Sequence, residues 1–153
     1  MEEGLGFQDY VNQTLNLKKE DTIRYSSLAL AYIGDCVFDL IIKSMVINQG
    51  NRPINQMHIA TSSYVQASTQ SLMMRGIQEH LTETELGYYR RGRNAKSLSP
   101  AKNQSITDYR RATGFESLLG YLYLENQYQR LMDLVKIGLE SLETTANDAD
   151  NDD

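Results

Sequence analysis

The stretch Leu28–Ile42, LALAYIGDCVFDLII, limits the possible folds of this chain more than any other. It is an apolar run with two carboxylates set inside it. Asp35 and Asp39 are four residues apart, so on a helix they share one face. Acids in such surroundings are costly unless a hydrogen bond, a cation or a metal compensates. Gly34, beside Asp35, weakens a helix further and calls for a structural reason. The stretch therefore predicts a helix that forms the floor of an active site, with the rest of the chain as its walls.

The patterns on either side are also helical. Ser26 or Ser27 can cap this helix, and Gln49-Gly50-Asn51-Arg52-Pro53 ends it after Asn48. Apolar residues on most of its sides predict a central helix packed on several faces. Asn55 is a cap for a second helix, Gln56 to Arg75, closed by Gly76, with a further helical piece at Ile77–Leu81. Thr82-Glu83-Thr84-Glu85 reads as a capping box opening a helix to about Arg91. A basic loop, Gly92 to Pro100, follows. Helices over Thr107–Tyr123 and Tyr128–Leu142 complete the set, separated by a stop at Asn126, and Gln8–Leu17 holds a short one. With two prolines in 153 residues and no convincing strand, the expected fold class is all-α.

Length fits one domain with a real core. The expected division is an N-terminal segment over 1–24, a helical domain over 25–143 and an acidic disordered tail over 144–153. The net charge of −5 is misleading about partners, because residues 140–153 hold six acids and no base. Without them the body carries 15 bases against 14 acids. Cys36 is the lone cysteine and is expected as a buried structural thiol. No signal-peptide pattern or membrane-length apolar run is present, which predicts a cytoplasmic protein with no membrane partner.

Two features could carry chemistry. Glu116 is a second inward-looking acid, between Phe115 and Leu118 on a helix that also carries Gly114 and Gly120. Small residues let helix backbones approach closely. If Gly34 meets one of these glycines, Asp35 and Glu116 face each other and form a hard oxygen site suited to Mg²⁺ or Mn²⁺. The competing reading is that Asp35 or Glu116 merely pairs with Arg110, Arg111 or another buried donor. The second feature is basic: Arg90 to Arg111 holds seven of the chain's fifteen bases against Asp108 alone. Arg91, Arg93, Lys96, Lys102 and Arg110, with Asn94 and Asn103, are the mixture that grips phosphate backbones. The competing reading there is a solvated loop. His58 and His80 have no metal-ligand spacing, and no zinc constellation, nucleophile elbow, P-loop or dinucleotide fingerprint occurs.

Three stretches, in order, resemble the Mini-ribonuclease III family: Leu28-Ala29-Leu30-Ala31-Tyr32-Ile33-Gly34-Asp35, Arg91-Gly92-Arg93-Asn94-Ala95-Lys96-Ser97, and Tyr109-Arg110 with Thr113 to Leu122. The likeness runs from about Leu28 to Val135. It implies the helical fold of the ribonuclease III endonuclease domain without a double-stranded-RNA-binding domain, acting as a homodimer. The implied activity is Mg²⁺-dependent cleavage of double-stranded RNA, with large-subunit (23S) ribosomal RNA precursor as the natural substrate. Asp35 and Glu116 match the family's acidic motifs and are the expected catalytic and metal-holding residues. Arg91, Arg93, Asn94, Lys96, Lys102, Asn103, Arg110 and His58 are the expected RNA contacts. Ala31 and Thr113 stand where larger ribonuclease III enzymes carry acids, a thinning that the Mini family shares. The alternative function is a non-catalytic RNA-binding protein using the same basic loop, and a purely structural helical dimer is the third.

Overall fold

A computed structural model describes residues 6–96 and 105–151 of the chain. Among these residues lie α1 (Phe7–Thr14), α2 (Ser27–Asn48), α3 (Ile54–Val65), α4 (Ala67–Ile77), α5 (Glu83–Asn94), α6 (Ile106–Leu124) and α7 (Tyr128–Asn151). Two 3-10 turns, Thr22–Arg24 and Gln78–His80, precede α2 and α5. The fold is all-α, with no strand among the described residues.

Local chemistry sets most helix starts. The Ser26 hydroxyl accepts from the Ala29 amide at 3.1 Å and opens α2. In the capping box of α5, the Glu85 amide donates to Thr82 Oγ1 at 3.2 Å and the Thr82 amide to Glu85 Oε1 at 2.9 Å. Ser105 caps α6, and Asn126, at φ +58°, provides the left-handed residue that ends it.

Four expected helix boundaries need correction. The single helix over Gln56–Arg75 is two helices, broken at Gln66, where ψ is 149°. There the Thr69 hydroxyl donates to the Ser63 carbonyl at 2.7 Å, taking the acceptor a continuous helix would offer to residue 67. Gly76 lies within α4, where a Cβ would press into Ser141 of α7, so it serves packing and not termination. α5 continues to Asn94, because Gly92 is wedged against α6 and does not open a loop. The acidic end continues α7 to Asn151 and is not a disordered tail from 144. Leu139 and Leu142 pack against the core just before it, and the Thr144 and Thr145 hydroxyls bond back to the Glu140 and Ser141 carbonyls.

The centre of the fold is α6, which packs against α2, α4, α5 and α7. Phe38 of α2 meets Phe115 of α6 edge to face, with centroids 5.2 Å apart. Helix α2, expected to be packed on several sides, buries one stripe at four-residue spacing: Leu30, Gly34, Phe38, Ile42 and Val46. Its other apolar face is open, with Tyr32 82%, Leu40 64% and Ile47 68% exposed. Cys36 lies off the buried stripe and is exposed as well, contrary to its expected burial.

The N-terminal residues are tied to the α6–α7 corner. Gln8 donates to the Tyr123 carbonyl at 3.0 Å and to Asn126 Oδ1 at 2.9 Å, and the Thr22 hydroxyl bonds Glu125. A separate clamp joins α5 to α7, where Arg130 donates twice to the buried Glu85 carboxylate at 2.8 Å. No helix of the described residues is long and apolar enough to cross a membrane.

Candidate active site

The site begins with two missing Cβ atoms. A Cβ on Gly34 would run into the Glu116 carbonyl and lie 2.9 Å from the Gly120 amide nitrogen. One on Gly120 would collide with the Leu30 carbonyl and lie 3.1 Å from Ile33 Cγ2. Helices α2 and α6 therefore cross backbone to backbone, as only glycine permits. Of the two candidate glycines on α6, Gly120 meets Gly34, while Gly114 accommodates Tyr89 of α5.

This crossing places the Asp35 and Glu116 carboxyls within hydrogen-bonding reach of each other. Asp35 is exposed and Glu116 is half-buried. Burial, then the Asp35 charge, then the bond between the two groups push Glu116 from 4.5 up to about 8. At neutral pH, with no cation beside it, Glu116 holds a proton that it shares with Asp35. The competing ion-pair reading fails among the described residues: neither acid has a basic partner. Arg111 instead donates to Ser71 Oγ at 2.8 Å and lies 3.9 Å from Asp108, and Arg110 is exposed.

The other polar groups nearby are already engaged. Asp39 pairs with Lys43 at 2.9 Å, one turn farther along α2. Thr113 is 9% exposed and its hydroxyl donates to the Tyr109 carbonyl at 3.0 Å. No group of three or more His, Cys, Asp or Glu residues gathers among the described residues. The pair is thus two carboxyls, one reachable from solvent and one set deeper.

The basic residues reach this region through α5. Gly92 lies against Gly114 and Ser117, the latter adjacent to Glu116, and a Cβ there would be 2.9 Å from Gly114 Cα. The fully buried Ser117 hydroxyl in turn donates to the Ser27 carbonyl at 2.7 Å. One hydroxyl thereby links the first turn of α2 to the centre of α6, beneath the last turn of α5. Arg91, Arg93 and Asn94 occupy that last turn, and Lys96 is exposed just beyond it. Arg91 stacks on Tyr88, and Arg93 Nε donates to Asn94 Oδ1 at 3.3 Å. Arg110 stands exposed near the start of α6, and His58 is exposed on α3, which packs on α2. Lys102 and Asn103 lie outside the described residues.

Ser117, Tyr88 and the Glu85–Arg130 clamp escaped the sequence reading. Serine among apolar residues carries no signal of its own, and Glu85 was already accounted for by its cap. Tyr88 offered one faint cue, its three-residue spacing from Arg91 on a helix.

Two apolar helices thus cross at glycines and bring two acids together beside a basic helix end. Residues 28–127 match the Ribonuclease III domain model. A crystal structure of a Fusobacterium nucleatum protein superposes with TM-score 0.73 at 26% identity, covering 79% of this chain and 99% of that one. The Mini-ribonuclease 3 of Clostridium tetani is 42% identical over 135 residues, 87% of this chain and 89% of that protein. That of Thermoanaerobacter sp. is 40% identical over 134 residues, 88% and 94% respectively. The chain belongs to the Mini-ribonuclease III branch of the ribonuclease III family and is an endoribonuclease of that type.

Proposed function

We propose that the chain cuts double-stranded RNA at the Asp35–Glu116 pair with Mg²⁺, which Mn²⁺ can replace. In this reading it works as a homodimer in the cytoplasm and matures the large-subunit ribosomal RNA precursor. The observation that carries the reading is the acid pair itself, brought together by the Gly34–Gly120 crossing with no basic partner for either acid among the described residues. Two such carboxyls are hard oxygen donors and would hold a divalent ion from the α2 and α6 sides. Bound there, the ion supplies Lewis acidity toward water and the scissile phosphate.

Asp35, exposed, is the carboxylate that solvent and substrate reach first. Glu116, held deeper by the glycine crossing, would hold the ion from the α6 side in its deprotonated form. Arg91, Arg93, Asn94, Lys96, Lys102, Asn103 and Arg110 contact the RNA backbone, and His58 joins them from α3. Backbone grip of this kind suits an A-form duplex, which proteins recognise through phosphates and 2′-hydroxyls more than through base edges. The open apolar stripe of Leu28, Tyr32, Leu40 and Ile47 on α2 supports self-association, because an isolated chain leaves it in water. The exposed thiol of Cys36 suits a reducing compartment.

The test is incubation of a 23S precursor duplex, and of an unrelated duplex, with wild type and Asp35→Asn, in Mg²⁺ and in EDTA. Metal-dependent cutting by wild type alone, favouring the precursor, is the expected result. Binding without cleavage under every metal would replace this reading with a non-catalytic RNA-binding protein. Light scattering of the purified chain checks the dimer.

A further inference from the structure

The last turns of α5 read Tyr88-Tyr89-Arg90-Arg91-Gly92-Arg93. Of these arginines, Arg91 lies nearest to a ring face. The Arg91 guanidinium carbon lies 4.5 Å from the Tyr88 ring centroid. Behind Tyr88, Tyr121 of α6 stacks in parallel, with centroids 3.9 Å apart and planes at 13°. Tyr88 is only 8% exposed, so its ring is a fixed platform. Gly87, one turn before Arg91, leaves the space beside it free: a Cβ there would lie 3.3 Å from Arg91 Nη1. By comparison, Arg93 lies 5.6 Å from the Tyr89 centroid, and Arg90 is exposed with no ring contact among the described residues.

The Arg91 guanidinium lies over the Tyr88 ring yet is exposed to solvent, and its planar fork carries five N–H donors. Among the described residues no carboxylate forms an ion pair with Arg91. We propose that Tyr88 and Tyr121 are positioning residues that hold Arg91 as a pre-oriented fork for one phosphate of the RNA backbone. Part of the conformational freedom that a long side chain loses on binding is already given up in the free protein. This rests on the reading that the end of α5 grips RNA.

The test measures affinity for a short RNA duplex across a salt series, in EDTA to prevent cutting, using the full chain. Arg91→Ala is expected to weaken binding and lower the salt slope by about one unit. Arg91→Lys keeps the charge but not the planar stack, so it is expected to bind about three- to tenfold more weakly at an unchanged slope. Tyr88→Leu is expected to match Arg91→Lys, Tyr88→Phe to restore wild-type binding, and Tyr88→Leu to add nothing to Arg91→Ala. Wild-type affinity in Arg91→Lys would overturn the positioning role without disturbing the buried ring. A Tyr88→Leu loss that persists in the Arg91→Ala background would overturn it as well. If Arg91→Ala changes neither affinity nor slope, the RNA reading of the helix end fails, and the positioning role with it.

Discussion

Helices α2 and α6 each bring one acid of the pair from an apolar segment, yet the fold treats the two differently. Helix α2 buries a single stripe and presents Asp35 to solvent, whereas α6 is buried on nearly every side and holds Glu116 half-hidden. The same residue pattern thus yields an accessible carboxylate and a deep one whose proton is retained up to about pH 8. The difference lies in what each helix packs against. It lets one site combine an easily reached carboxylate with a firmly placed one.

Removing either acid is the severest test of that division. Asp35→Asn and Glu116→Gln are each expected to lower duplex RNA cleavage by about a thousandfold, read from initial rates with Mg²⁺. A mild loss in one variant alone would show that the two acids are not used together. Next in size is the crossing itself. Gly34→Ala places a methyl group on the Glu116 carbonyl, and urea unfolding is expected to show a loss of about 3 kcal/mol.

The buried acid also makes stability depend on pH. The folded chain keeps a proton on Glu116 that the unfolded chain releases above 4.5, so stability falls as pH rises from there to about 8. Thermal melts without metal are expected to show a decline on the order of 5 kcal/mol across that window. Glu116→Gln should flatten it, and added Mg²⁺ should offset it at the upper end.

The open face of α2 gives a smaller effect. Tyr32→Ser is expected to weaken self-association by about tenfold in sedimentation while leaving the far-ultraviolet spectrum unchanged. Smallest is Asp39→Asn, which breaks an i, i+4 pair with Lys43 and should cost about 0.5 kcal/mol with little change in cleavage. A loss of activity comparable to that of Asp35→Asn would place Asp39 within the site.

Features set by neighbouring residues were legible in the sequence. The Ser26 cap, the Thr82–Glu85 box and the stop at Asn126 depend on hydrogen bonds and backbone angles within a few positions. The convergence of Asp35 and Glu116 was legible too, because glycine beside an acid in an apolar helix has few explanations other than close backbone approach. What stayed hidden depends on distant neighbours. A row of apolar residues on α2 looks the same whether it faces a core or open water, so the exposure of Tyr32 and Cys36 emerged only when α6 took the central place. Gly92 read as a loop residue because its partners, Gly114 and Ser117, come from another helix. The arginine platform required Tyr88 and Tyr121 to stack across two helices. Short-range hydrogen bonding and backbone preference were determined by the sequence alone. Burial, stacking and proton sharing were decided by tertiary structure, because each depends on which surfaces meet.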